Sequence, residues 1–119
     1  MEEEKFDFEK LDVYQKALDY IDFVYSLTKK FPRVEQFRLT SNFQGAAQSI
    51  ALNIGEGSGG SKTEFIHFLR IARRSVRECV VCTTIAKRRN YINQSEENES
   101  RSRCWEISKM LSGLKKSLE

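Results

Sequence analysis

The chain has 119 residues, which gives room for one domain with its own hydrophobic core and too little for two. Hydrophobic residues make up 39 % and charged residues 31 %, no run approaches the about eighteen apolar residues of a membrane span, and the opening Met1-Glu-Glu-Glu-Lys5 is acidic where an export signal is basic and then apolar. The net charge of +3 is held unevenly: residues 1–22 carry net −5, residues 62–89 net +6, and residues 90–119 balance to zero.

Composition next excludes strands as the main element. There is one proline, and four of the six glycines fall between Gly55 and Gly60, so long stretches rich in Glu, Lys, Arg, Leu and Ile run without a breaker. The three cysteines are an odd number in a chain without an export signal, which reads as free thiols in a reducing cytoplasm.

Taken in chain order, a first helix is predicted over 9–30. Val13, Ala17, Ile21, Val24 and Leu27 recur every three or four positions and make one apolar face, which Leu18 and Tyr25 widen. Phe31-Pro32 ends it, because proline disfavours helical backbone in the residue before it. Residues 33–38 form a connector. A second helix is predicted over 40–57, capped by Thr40 or Ser41, with Phe43, Ala47, Ile50 and Ile54 inward and the glycines from Gly55 onward stopping it. A third is predicted over 62–89: Ser61-Lys-Thr-Glu64 is a capping box, and Phe65, Leu69, Ala72, Val76, Cys79, Thr83 and Ala86 form the core face. At this length it is a rod of roughly 40 Å. A fourth is predicted over 95–118, capped by Ser95 or Asn93, with Cys104, Ile107, Leu111, Leu114 and Leu118 on one face. Four amphipathic helices joined by short connections give an all-α, antiparallel up-down-up-down bundle, one domain over residues 1–119.

Three motifs invite chemistry and fail on context. Gly55-x-Gly57-x-x-Gly60 matches a dinucleotide fingerprint in spacing, but a helix precedes it where a strand is needed, and Glu56 puts a negative charge where phosphate would sit. Cys79-Val-Val-Cys82 has redox spacing but lies mid-helix, away from the unpaired N–H groups that lower a thiol pKa. His67 and Cys79 are twelve positions apart on one helix, roughly 18 Å, and cannot share a metal ion. His67 is the only histidine; its helical neighbours are Thr63, Glu64, Arg70 and Ile71, and nothing in the sequence points to a serine from another helix that would complete a triad. The expectation is no catalytic residue, no metal and no cofactor.

Two polar groupings remain. Ser49, Asn53 and Glu56 on the second helix and Arg73 and Glu78 on the third are placed to form a register-fixing network built on a Glu56–Arg73 pair. Arg70, Arg73, Arg74 and Arg77, followed by Lys87, Arg88 and Arg89, make a basic stripe able to neutralise phosphates, to which Tyr91 and Trp105 could add stacking, though no aromatic interleaves the arginines. The competing use of that stripe is pairing, within or between chains, with Asp12, Asp19, Asp22 and the Glu2–Glu4 run.

Five segments together resemble a known family. They are Phe8-Glu-Lys-Leu11 with Ala17; Phe31-Pro32-x-x-Glu35-x-Phe37-x-Leu39-Thr40; Ala46-Ala47-x-Ser49-Ile50-x-x-Asn53-Ile54-x-Glu56-Gly57; Glu64-Phe65-x-x-Phe68-Leu69-x-Ile71-Ala72-Arg73-x-Ser75-x-x-Glu78; and Met110-Leu-x-x-Leu114. This pattern resembles the bacterial four-helix-bundle family known as the 23S rRNA intervening-sequence, or S23-type ribosomal, proteins. The resemblance implies an antiparallel four-helix bundle that assembles as a ring-shaped homopentamer, and basic relatives thought to bind nucleic acid. By position Asn53, Glu56, Gly57, Arg73, Ser75 and Glu78 match the pattern; Gln44-Gly45 stands where the family often carries arginine, and Ala51 where it often carries proline. The resulting expectation is a non-catalytic, cytoplasmic homo-oligomer without a membrane segment. Its partner is RNA or DNA, met through Arg70, Arg74, Arg77, Lys87, Arg88 and Arg89, or alternatively another protein.

Overall fold

The computed structural model describes residues 4–119, and among them every long element is a helix and none is a strand. The helices are α1 (Asp12–Thr28), α2 (Leu39–Ser58), α3 (Lys62–Arg88) and α4 (Gln94–Leu118), with short 3-10 turns at Asp7–Lys10 and Arg33–Glu35. Each packs on the next, α4 closes back on α1, and the backbones of the diagonal pairs α1/α3 and α2/α4 stay apart. This is the four-helix bundle expected of the sequence, 42 × 36 × 25 Å in extent.

The first helix is shorter at both ends than the predicted 9–30. Leu11 is extended (φ −70°, ψ 129°), which separates α1 from the 3-10 turn before it. The Phe6 N–H donates to Glu9 Oε2 at 2.8 Å, and Phe8 turns back edge-on to Tyr14, with ring centres 5.1 Å apart. Beyond Thr28 the chain tightens, with Lys30 N–H on the Leu27 carbonyl and Phe31 N–H on that of Thr28, and Phe31 is buried.

The second helix differs in its start and in the role of its glycines. It begins at Leu39, so Thr40 and Ser41 lie inside it and neither caps it; the side chain nearest that task is Glu35, whose Oε1 lies 3.5 Å from the Leu39 nitrogen. The helix also runs through Gly55 and Gly57 before ending at Ser58. Gly57 is buried where α2 crosses α3, and a Cβ on it would stand 2.5 Å from Phe68 Cβ and 3.1 Å from Phe65 Cδ1. It permits close approach and does not stop the helix.

The third helix opens as predicted, with Ser61 Oγ accepting from Glu64 N–H (3.2 Å) and Ser61 N–H donating to Glu64 Oε1 (3.0 Å). These bonds hold the exposed Glu64 carboxyl below the ordinary carboxylate range. Its end is a Schellman motif: Asn90 sits in the left-handed region (φ 62°), Tyr91 N–H reaches the Ala86 carbonyl at 2.9 Å, and Asn90 N–H reaches that of Lys87 at 3.0 Å. For α4, Asn93 is the cap, with Glu96 N–H on Asn93 Oδ1 at 2.8 Å and Asn93 N–H on Glu96 Oε1 at 2.9 Å. Glu96 also pairs with Lys30, tying this helix start to the end of α1.

The core holds the residues that periodicity predicts: Val13, Ala17, Val24 and Leu27; Phe43, Ala47, Ile50 and Ile54; Leu69, Ala72, Val76, Cys79, Thr83 and Ala86; Cys104, Ile107 and Leu111. Ile21, Phe65, Leu114 and Leu118 are half-buried at its margin.

Periodicity did not place Tyr20 and Ser100, both fully buried. Thr83 donates to the Cys79 carbonyl at 2.7 Å, Ser100 Oγ lies 2.7 Å from Thr83 Oγ1, and Tyr20 OH lies 2.9 Å from Ser100 Oγ. Each hydroxyl has one hydrogen, so the direction is fixed. Thr83 gives its proton to the carbonyl, Ser100 gives to Thr83, and Tyr20 gives to Ser100. The chain links diagonal helices α1 and α3 through a serine of α4.

Candidate nucleic-acid interface

The outer side of α3 carries the positive charge. Arg70, Arg73, Arg74, Arg77 and Arg88 are exposed, Lys87 is half-buried, and Arg89 is exposed at the helix end. Val81 and Ile85 are also exposed and continue the ridge of Arg74 and Arg77. Among the described residues, no carboxylate lies within ion-pair distance of any of these seven cations. The ion pairs are Lys16–Glu106, Lys30–Glu96, Arg103–Glu99 and Lys115–Glu119. The reason is topological: Asp12, Asp19 and Asp22 lie on α1, the helix diagonal to α3. Intramolecular pairing with those acids, one of the two uses expected of the stripe, is therefore not formed; Glu2 and Glu3 lie outside the described residues.

The expected polar network is only partly assembled. Asn53 Nδ2 donates to the Ser49 carbonyl (2.7 Å) and to Ser49 Oγ (2.9 Å), and Ser75 Oγ donates to Ser49 Oγ at 2.8 Å, joining α2 to α3. The Glu56–Arg73 pair is a correction: neither side chain, nor Glu78, takes part in a hydrogen bond or ion pair among the described residues. Glu56 lies on the α1 side of α2, where it lines a groove with Phe8 and Tyr14, while Arg73 is exposed on α3. The register-fixing contact is the smaller Ser49–Ser75 bond, and Ser75 was legible only as part of the family pattern.

The thiols are buried in the core. Burial pushes Cys79 and Cys104 well up, and Cys82 to about 11, so all three are protonated at neutral pH. His67 is exposed and meets Phe68 edge-on at 5.5 Å. No three His, Cys, Asp or Glu side chains converge on a metal position among the described residues, and no helix among them is long and apolar enough to cross a membrane.

Sequence reasoning offers Trp105 as a stacking aromatic but not the groove it lines, and it leaves a second surface feature unplaced. A groove of about 580 Å³ between α3 and α4 brings Arg77 and Val81 together with Arg101 and Trp105, a residue 69 % exposed. No spacing within one helix announces a meeting across two. The other feature is the outer face of α2. No residue from Leu39 to Gly55 is charged, yet Ser41, Gly45, Gln48 and Leu52 face outward, Leu52 66 % exposed, and Phe37 just before them is 87 % exposed. That signal was in the sequence as a run of seventeen uncharged residues inside a chain that is 31 % charged.

Fold and surface together define an all-α bundle protein with one strongly basic helix face and one uncharged face. Residues 9–113 match the 23S rRNA-intervening sequence protein family, and the chain belongs to that family. The bundle is also similar to the solved structure of a protein of unknown function from the S23 ribosomal protein family of Bacteroides thetaiotaomicron VPI-5482. The TM-score is 0.80 at 24 % identity, covering 87 % of this chain and 98 % of that one, a likeness of fold. Comparison with curated proteins finds no match.

Proposed function

We propose that this chain is a non-catalytic, self-associating helical module of the cytoplasm that binds RNA or DNA through the outer face of α3. The observation that carries the reading is the row of arginines at 70, 73, 74 and 77, with Arg88 and Arg89 beyond, exposed and without a carboxylate partner within the described chain. Guanidinium groups in such a row bind phosphate bidentately and release condensed counterions when they do. Titration of labelled RNA and DNA at about 50 and about 200 mM salt tests it: with about four phosphate contacts, affinity falls by roughly 100-fold between the two. Absence of binding at the lower salt retires the nucleic-acid role and leaves a protein scaffold as the reading.

Self-association rests on the uncharged outer face of α2, because depletion of charge marks the centre of protein interfaces. The family resemblance supplies the number, five copies in a ring. Light scattering then reads about five times 13.9 kDa, and Leu52→Glu, which puts a charge in the centre of that face, dissociates the assembly. A wild-type protein that scatters as a monomer contradicts the ring.

A further inference from the structure

We infer that the α3–α4 groove is a base-stacking site for single-stranded nucleic acid, with Trp105 as the platform and Arg77 and Arg101 as the flanking phosphate contacts. This rests on the nucleic-acid reading above and names the form of nucleic acid taken. Three observations carry it. Trp105 projects from α4 with 69 % of its surface exposed, although a tryptophan in a bundle ordinarily faces the core. The groove beside it is floored by Val76 and Val80, rimmed by Ser102 and Ser108, and has guanidinium groups on both helices. No carboxylate lines it, and Glu97, one turn before Arg101, is engaged by Gln94 Nε2 at 3.0 Å.

A flat ring over an apolar floor, with a cation on either side, matches an unstacked base between two phosphates. A duplex presents phosphates but keeps its base faces covered, so it meets the arginine row of α3 without engaging Trp105. Charge complementarity thus selects a polyanion, and the aromatic platform selects its single-stranded form.

Trp105 is the only tryptophan, so its emission reports this groove alone. The full chain is titrated with an oligouridine of about 12 nucleotides, and separately with a duplex of similar length. Tryptophan emission is followed alongside the anisotropy of labelled oligomer. The single strand is expected to quench Trp105 with the same midpoint as the anisotropy change, and the duplex to bind with much weaker quenching. Trp105→Ala weakens the single strand about 5- to 150-fold and leaves the duplex unchanged, while Trp105→Phe restores most of the loss. Arg77→Ala and Arg101→Ala weaken single-strand binding without removing the quench at saturation.

Salt-sensitive anisotropy with unmoved Trp105 emission, and a Trp105→Ala variant that binds oligouridine as the wild type does, overturns the stacking site but keeps the nucleic-acid reading. Emission that shifts on dilution of the protein alone makes the groove a joint between copies and overturns the inference too. If neither oligomer binds at low salt, both readings fall together.

Discussion

Gly57→Val is expected to destabilise the bundle by about 3 kcal/mol, the upper range for overpacking, and to lower its melting temperature by roughly 10 °C. A Cβ at this position already stands 2.5 Å from Phe68 Cβ, and that atom is fixed to the α3 backbone and cannot swing aside. The helices must separate, and every contact along the α2–α3 seam loosens with them, including the 2.8 Å bond from Ser75 to Ser49. Gly57→Ala meets the same obstacle with fewer atoms and loses less. Gly113, on the exposed side of α4 with nothing within 4 Å of its added Cβ, is the control of opposite sign. Gly113→Ala gains about 0.5–1 kcal/mol, because alanine has less backbone freedom to lose on folding. Thermal melts of the three variants check this, and a Gly57→Val protein as stable as the wild type rules out the close crossing.

Ser100→Ala is expected to cost about 1–3 kcal/mol, more than Tyr20→Phe, although tyrosine is the larger residue. The proton order in the buried chain gives the reason. Removing the Ser100 hydroxyl takes away the acceptor 2.9 Å from Tyr20 OH and leaves a buried donor beside only weakly accepting thiols. Removing the Tyr20 hydroxyl leaves Ser100 still donating to Thr83, and Thr83 to the Cys79 carbonyl, so no donor is orphaned. The double variant Tyr20→Phe with Ser100→Ala is therefore more stable than Ser100→Ala alone. Chemical denaturation of the two single variants and the double variant measures that coupling, and a Tyr20→Phe variant that loses more than Ser100→Ala contradicts the assigned direction.

The four rods were legible because each carries an apolar residue every three or four positions, and the α3 cap because Ser61 and Glu64 stand at capping-box spacing. The short connection from α3 to α4 carries more than its length shows: Ile92 is buried and Tyr91 donates to Glu35 Oε2 at 2.8 Å, closing that end of the bundle around Phe31. Gly59 caps the end of α2 as expected, but Gly55 and Gly57 lie inside it, because a glycine that ends a helix and one that lets two helices touch look alike until the neighbour is known. Phe68, eleven residues on, supplies that answer for Gly57. Tyr20 and Ser100 escaped because a hydroxyl suits the core only when its partner is also there, and their partners come from other helices. The stripe on α3 was plain in the sequence, but its lack of acidic partners depends on α1 standing diagonally opposite. The groove at Trp105 was hidden for the same reason, as half of it belongs to a different helix.

The most direct test of the account is the salt slope of nucleic-acid binding measured for the wild type and for the triple variant Arg70→Gln, Arg74→Gln, Arg77→Gln. If the outer face of α3 is the phosphate-binding surface, the slope of log affinity against log salt becomes shallower by about 1 for each arginine replaced, while helicity is kept. An unchanged slope in the folded triple variant would contradict the account, because the phosphates would then be held somewhere else.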